Sequence, residues 1–344
     1  MNTINLDTVK TEPKLVRKPD TNAGSRQLFG YLPVALFGSV MGLTGLSVAW
    51  KLAAVQFGLP NEVSVVIGVI AIIAFITLSV AYILKIVTAP ELVRSEFAHP
   101  IAGSLFGTVS ISMLLLPIVL TDYNLTLARG LWVAGAIAMT FFAWMTVLRW
   151  LTKQQQTVHA TPAWIVPVVG MLDVPLALPL LNLSGLHDVM IFALAVGLFF
   201  SIPLLTLIFS RLMFEAPIPD AMQPSLLILT APFAVGFSSY VATTGHVDLF
   251  AQGLFFINLF VLAVLLGRIR HLLNCCPFRV SWWSVSFPFA ATAVAAIKFD
   301  AYEHSMFSNG LAIFTLIGAS LVIAALLVRT LVGIVSGELR ALSA

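Results

Sequence analysis

Few side chains in this 344-residue sequence stand where they could do chemistry, and the most conspicuous of them is an acid. Asp173 is the only Asp, Glu, Lys or Arg between Lys153 and Asp188, inside an apolar run that begins near Trp164. Two roles fit a carboxyl in such surroundings. It could gain and lose a proton as a charged solute passes, or it could be a neutral, hydrogen-bonded group on a helix bent by the neighbouring Pro175. Phe287, directly before Pro288, is a second candidate, because a bulky ring there could narrow a pore. With 25 phenylalanines in the chain, composition alone does not single it out.

Other chemistries find no support. His99, His159, His187, His246, His271 and His304 lie at the ends of apolar runs or between them, which leaves no catalytic or haem-binding constellation. Cys275 and Cys276 are adjacent, giving neither a disulfide framework nor metal-ligand spacing, and read as loop thiols in a reducing compartment. The chain carries no G-x-x-x-x-G-K-[ST] loop and no H-E-x-x-H pattern. It reads as neither a nucleotide-driven pump nor an enzyme, with no cofactor, no metal and no nucleic acid among its expected partners. Passive or ion-coupled passage of a solute is what remains.

The elements that must position these residues follow from composition. Hydrophobic residues make up 59% of the chain and charged ones 10%, against about 25% charged in a soluble domain. A span needs about 20 apolar residues to cross the hydrocarbon core. Ten such runs are found, over residues 31–54, 63–87, 101–120, 127–148, 164–183, 189–209, 225–243, 249–266, 281–297 and 311–331. Residues 1–27 are expected to be a disordered cytoplasmic tail, 28–333 the membrane domain and 334–344 a second tail. Fifteen of the 18 Lys and Arg then fall on the side of the tails, including Arg268 and Arg270, and only Lys51, Arg129 and Lys298 on the other. Basic residues mark the cytoplasmic side, so both termini are expected there. Tryptophans 50, 132, 150, 164, 282 and 283 fall near span ends, as interfacial indoles do.

The odd spans share a proline near their start, at Pro33, Pro100, Pro162, Pro224 and Pro288, with intervals of 67, 62, 62 and 64 residues. A constant spacing of one helical hairpin implies five copies of a two-helix unit. Phe37-Gly38, Phe106-Gly107 and Val169-Gly170 recur a few residues into spans one, three and five, whereas spans seven and nine offer Pro232 and Phe289-Ala290. Prolines 117, 167, 175, 179 and 232 also lie in or near the ends of odd spans. A kinked helix in a bilayer is tolerated where protein or a water-filled cavity receives the freed backbone groups. Odd spans are therefore expected inside and even spans against lipid or neighbouring subunits.

Asp173 then lies roughly 13 Å along its span from Trp164, close to the midplane, at 1.5 Å per residue. A charge there costs about 2.5–3.5 kcal/mol on insertion scales, so such residues usually face a cavity.

Phe37-Gly38 with Gly42-Leu43-Thr44-Gly45-Leu46 and Trp50, then Pro162-Ala163-Trp164 with Pro167-Val168-Val169-Gly170, resemble the tellurite-resistance/dicarboxylate transporter family. So do Pro224-Ser225-Leu226 with Ala231-Pro232 and Ser239-Tyr240, and Trp282-Trp283 with Ser286-Phe287-Pro288. That family includes bacterial tellurite-resistance proteins and plant slow-type anion channels, and the resemblance covers about residues 31–331. It implies an all-α polytopic membrane protein of ten transmembrane helices, arranged as five hairpins with quasi-fivefold symmetry around a central pore. It further implies a homotrimer with one pore per subunit, in a plasma or bacterial inner membrane. Phe287 would be the pore gate, with Phe37, Gly38, Gly42, Phe106, Gly107, Gly170, Asp173, Pro232, Ser286 and Pro288 lining the pore. The glycines Gly38, Gly42, Gly107 and Gly170 would leave room for the ion. The expected function is an anion channel for small anions; the alternative is a proton-coupled transporter or exporter of C4-dicarboxylate, sulfite or tellurite-type oxyanions, with Asp173 carrying the proton.

Overall fold

A computed structural model describes residues 29–267 and 278–343. The expected tail 1–27, Arg268, Arg270, His271, Cys275 and Cys276 lie outside the described residues. The described chain is helical throughout and contains ten helices long and apolar enough to span a membrane. They are Val34–Phe57, Glu62–Thr88, Ala102–Leu120, Leu125–Thr152, Pro162–Leu181, His187–Phe214, Asp220–Thr244, Leu249–Leu266, Val280–Glu303 and Met306–Val335.

Most helices outrun their apolar stretch, because a helix ends at a cap and not where hydropathy falls. Span ten was expected from residue 311 but starts at Met306, where Ser305 and Ser308 form a reciprocal capping box. Asn124 and Asp248 cap spans four and eight by accepting backbone N–H groups of Leu127 and Ala251. The Tyr240 hydroxyl also donates to Asp248; that bond, before the backbone ones, holds the Asp248 carboxyl below the usual carboxylate range. Span nine was expected to end at residue 297, yet it runs on to Glu303 and closes at His304 in the left-handed conformation.

Odd and even spans differ in surroundings. In each odd span 78–83% of the most apolar window is buried, against 17–33% in the even spans. Span one packs on spans three and nine, three on five, five on seven and seven on nine, so the odd spans close a ring. Each even span lies in the groove between its own odd partner and the next odd span around that ring.

All five odd spans begin as 3₁₀ helix, at Val34–Leu36, Ala102–Phe106, Pro162–Ile165, Asp220–Thr230 and Val280–Val285. The prolines do not mark this start uniformly. Pro33 and Pro100 precede the 3₁₀ segment, Pro162 opens it, Pro224 sits within it, and Pro288 falls in the first turn of the α-helical part. All but Pro224 fit helix beginnings, where an N–H has no intrahelical partner to lose; Pro224 lies inside its 3₁₀ segment, and the Ala221 carbonyl three residues before it accepts from the Ser281 hydroxyl at 2.7 Å instead. What recurs instead is a hydroxyl that donates to the carbonyl three residues back: Ser39 to Leu36, Thr108 to Leu105, Thr230 to Leu227 and Ser286 to Trp283, at 2.6–2.9 Å.

The tail-side start of span one is tied down by a nearly buried ion pair. Glu96, on the short helix Pro90–Ala98, accepts from Lys85 Nζ at 2.7 Å, from the Tyr82 hydroxyl at 3.0 Å and from the Val34 N–H at 2.7 Å. With every donor and acceptor partnered, such a pair fixes geometry more than it adds stability.

Candidate functional site

Two cavities lie end to end inside the ring. The first, about 160 Å³, is on the tail side; the second, about 480 Å³, is toward the opposite side. Every odd span contributes wall to both. The contributing residues recur at intervals of three and four, as one helix face requires. In span one that face carries Ala35, Gly38, Met41, Gly45, Val48, Leu52 and Val55; in span nine, Val280, Ser284, Phe287, Ala291, Val294 and Lys298, with Lys51, Ser281, Trp283 and Pro288 bordering the cavities from beside it. Two residues, Phe287 and Val235 of span seven, border both cavities and so stand at the partition between them.

Gly38, Gly170, Asp173, Phe287 and Pro288 border the tail-side cavity. Phe37, Gly42, Phe106, Gly107, Pro232 and Ser286, which the resemblance places on the pore, border neither cavity and sit behind its wall. The Phe37 ring meets Phe75 and Tyr82 of span two edge to face, at 6.0 and 6.3 Å. Phe106 likewise meets Tyr82 and Phe97. Both rings point outward from the ring of odd spans. The glycines admit helices: a Cβ on Gly42 would stand 2.1 Å from Ser286 Oγ, one on Gly107 2.9 Å from Val166, and one on Gly170 2.8 Å from Ile111 and Met139. Ser286, fully buried, donates to the Gly38 carbonyl at 3.2 Å and thereby joins span nine to span one beside Phe287. The Phe287 ring itself faces Gly45, whose absent Cβ would come 3.7 Å from Cδ2.

Asp173 is 2% exposed and terminates a 3₁₀ segment, Gly170–Asp173, that interrupts span five between its two α-helical parts. Pro167 and Pro175 each lie in the first turn of those parts. A mid-span 3₁₀ stretch marks a weak point in a helix, and here it turns a carboxyl toward the cavity wall just on the tail side of the partition. Its Oδ1 is buried without a hydrogen-bond partner among the described residues.

The second cavity contains a cation that the sequence reading placed beyond the membrane. Lys298 borders it, makes no ion pair or hydrogen bond among the described residues, and lies within span nine because that helix continues to Glu303. Lys51 also borders it but is engaged by Asp122 at 2.7 Å. Ser238 adds a buried hydroxyl without a partner. The signal for Lys298 was present, since 287, 291, 294 and 298 share one helix face.

The partition is thus apolar, an acid lies on its tail side, and a free ammonium and hydroxyl lie on the other. No group of three or more His, Cys, Asp or Glu that could hold a metal ion occurs among the described residues.

Comparison with known proteins agrees. The profile of the SLAC1 family, described as voltage-dependent anion channel, matches residues 31–331. The chain is 26% identical to the S-type anion channel SLAH2 of Arabidopsis thaliana over 304 residues, 86% of this chain and 57% of the relative. It is 26% identical to a tellurite resistance protein TehA homolog of Haemophilus influenzae, covering 89% of this chain and 92% of the relative. A transporter of uncharacterized function from Methanocaldococcus jannaschii is also 26% identical, over 73% of this chain and 80% of its own length. The chain spans only about half the length of plant relatives such as SLAH2 and SLAH3.

Proposed function

Because this chain belongs to the voltage-dependent anion channel family, whose members are channels and transporters and not enzymes, we propose that it conducts small anions passively through the ring of odd spans, with Phe287 as the gate. The observation that carries this reading is the double placement of Phe287, which borders the cavity on each side of the partition. An aromatic ring there holds water out of the narrowest stretch, and an apolar constriction stops ions by excluding their hydration shell.

The remaining residues act on the field along the path. Odd spans begin on the tail side, so the partly positive ends of five helices face the first cavity and favour an anion there. Asp173 opposes the anion when ionised and ceases to when protonated. Lys298 and Ser238 offer donors in the second cavity, without the tight cage that would trap an ion. In the same proposal the chain resides in a plasma or bacterial inner membrane with both termini cytoplasmic, consistent with the split of basic residues. It assembles as a homotrimer through its apolar even spans.

The test is current recording from purified protein in planar bilayers under anion gradients. A reversal potential that follows the anion gradient, and ignores a superimposed proton gradient, is the expected result. Saturable flux that stops when the proton gradient is collapsed would overturn the channel reading in favour of coupled transport of an oxyanion or dicarboxylate.

A further inference from the structure

Away from the ring, on the lipid-facing side, a groove of about 390 Å³ runs between spans six and eight and the 3₁₀ start of span seven. It lies at the tail-side end of span six, one turn from Phe214, and a helix of 28 residues is long enough for that end to reach the headgroup layer. Most of its wall is apolar, including Leu212, Ile218, Phe260 and Val264, and Phe260 and Val264 are themselves strongly exposed. A guanidinium is set into this wall. Arg211 is 2% exposed, and its Nε and Nη1 are buried with no hydrogen-bond partner among the described residues.

Gln223 borders the same groove and is also buried. Its Nε2 donates to Asp220 Oδ1 at 2.9 Å, whereas its Oε1 is buried without a partner among the described residues. The other charged group on the groove, Glu215, is exposed and forms no ion pair with Arg211.

Buried polar groups are nearly always paired, and an uncompensated buried charge is strongly destabilising. Two orphan N–H donors and an orphan carbonyl oxygen on one groove therefore specify a ligand. A guanidinium N–H donates a charge-assisted hydrogen bond to a phosphate oxygen. The amide oxygen can only accept, so it calls for an O–H or N–H on the same ligand. The apolar walls and the depth add acyl chains.

We propose that this groove binds a glycerophospholipid of the tail-side leaflet, with its phosphate on Arg211 and a headgroup donor, ethanolamine ammonium or glycerol hydroxyl, on Gln223 Oε1. A choline headgroup has no such donor and should bind less well. The site is separate from the pore, and its occupancy does not depend on what the pore conducts.

The experiment uses the full chain, purified and delipidated in detergent, and reads lipid adducts by native mass spectrometry and unfolding temperature by scanning fluorimetry. The added probes are phosphatidylethanolamine, phosphatidylglycerol and phosphatidylcholine of identical chains, and inorganic phosphate at matched concentration. The expected result is binding of the first two lipids roughly tenfold tighter than phosphatidylcholine, a factor worth about 1.4 kcal/mol, with inorganic phosphate giving no comparable stabilisation. Arg211→Gln should lose most of the binding of all three lipids while the lipid-free protein melts no lower. Gln223→Leu should lose only the discrimination against choline, and it decides the matter if Arg211→Gln does not fold. Equal binding of the three lipids by the wild type, unchanged discrimination in Gln223→Leu, or a shift reproduced by inorganic phosphate alone would overturn the proposal.

Discussion

Replacing Phe287 with alanine removes the one ring that borders both cavities. If the ring is the gate, the barrier it imposes is that of an ion stripped of water in an apolar neck. A lower bound is the cost of a charge at the bilayer centre on insertion scales, about 2.5–3.5 kcal/mol. At 1.36 kcal/mol per tenfold, Phe287→Ala should raise the anion current per protein about a hundredfold. The substitution also costs stability. In a fully packed core Phe→Ala costs about 3–5 kcal/mol, but space on both sides of this ring means fewer contacts are lost, so the loss should fall below that range. The assay is single-channel recording in planar bilayers beside size-exclusion and thermal-unfolding profiles of the same preparation, with Phe287→Leu as an intermediate plug. A folded, monodisperse Phe287→Ala protein that conducts no better than wild type would refute the reasoning, because the partition would then be made by something other than the ring.

Three further substitutions probe the path on either side. Asp173→Asn removes the ionisable group beside the partition; wild-type anion current should rise as pH falls and the carboxylate is protonated, and the variant should conduct at the higher level at every pH. A like charge about 8 Å away at an effective dielectric near 20 costs about 2 kcal/mol, so the difference should be about thirtyfold, and an unchanged pH profile removes Asp173 from the conduction path. Lys298→Gln should lower anion current about fivefold, the effect of roughly 1 kcal/mol, and the deficit should shrink at high ionic strength as screening takes over; a salt-independent deficit would point to packing instead. Gly42→Ala drives a methyl into Ser286 and should cost about 1–3 kcal/mol by overpacking, read as a lower unfolding temperature, whereas Gly130→Ala, with nothing within 4 Å of the new Cβ, should not destabilise.

Ten spans were legible because hydropathy is a one-dimensional signal, and the inside position of the odd spans was legible because prolines concentrate there. The pore wall was harder to read, for a physical reason. Residues such as Phe37, Gly38, Gly170 and Phe287 stand out by type, but type does not say which way a side chain faces. Phe37 and Gly38 are neighbours in sequence, yet one ring packs outward on span two while the other residue borders the cavity. The resemblance puts Gly42 and Ser286 on the pore; they meet each other and close the seam between spans one and nine. Direction is carried by the interval of three and four residues, which runs from Gly38 to Val55 and from Val280 to Lys298. Followed from Phe287, that interval leads to Lys298. Hydropathy places the same residue past the membrane, because a lysine ends an apolar run even when the helix does not end. In a protein this poor in charge, a helix that continues past its apolar stretch can place a cation within the ring of odd spans.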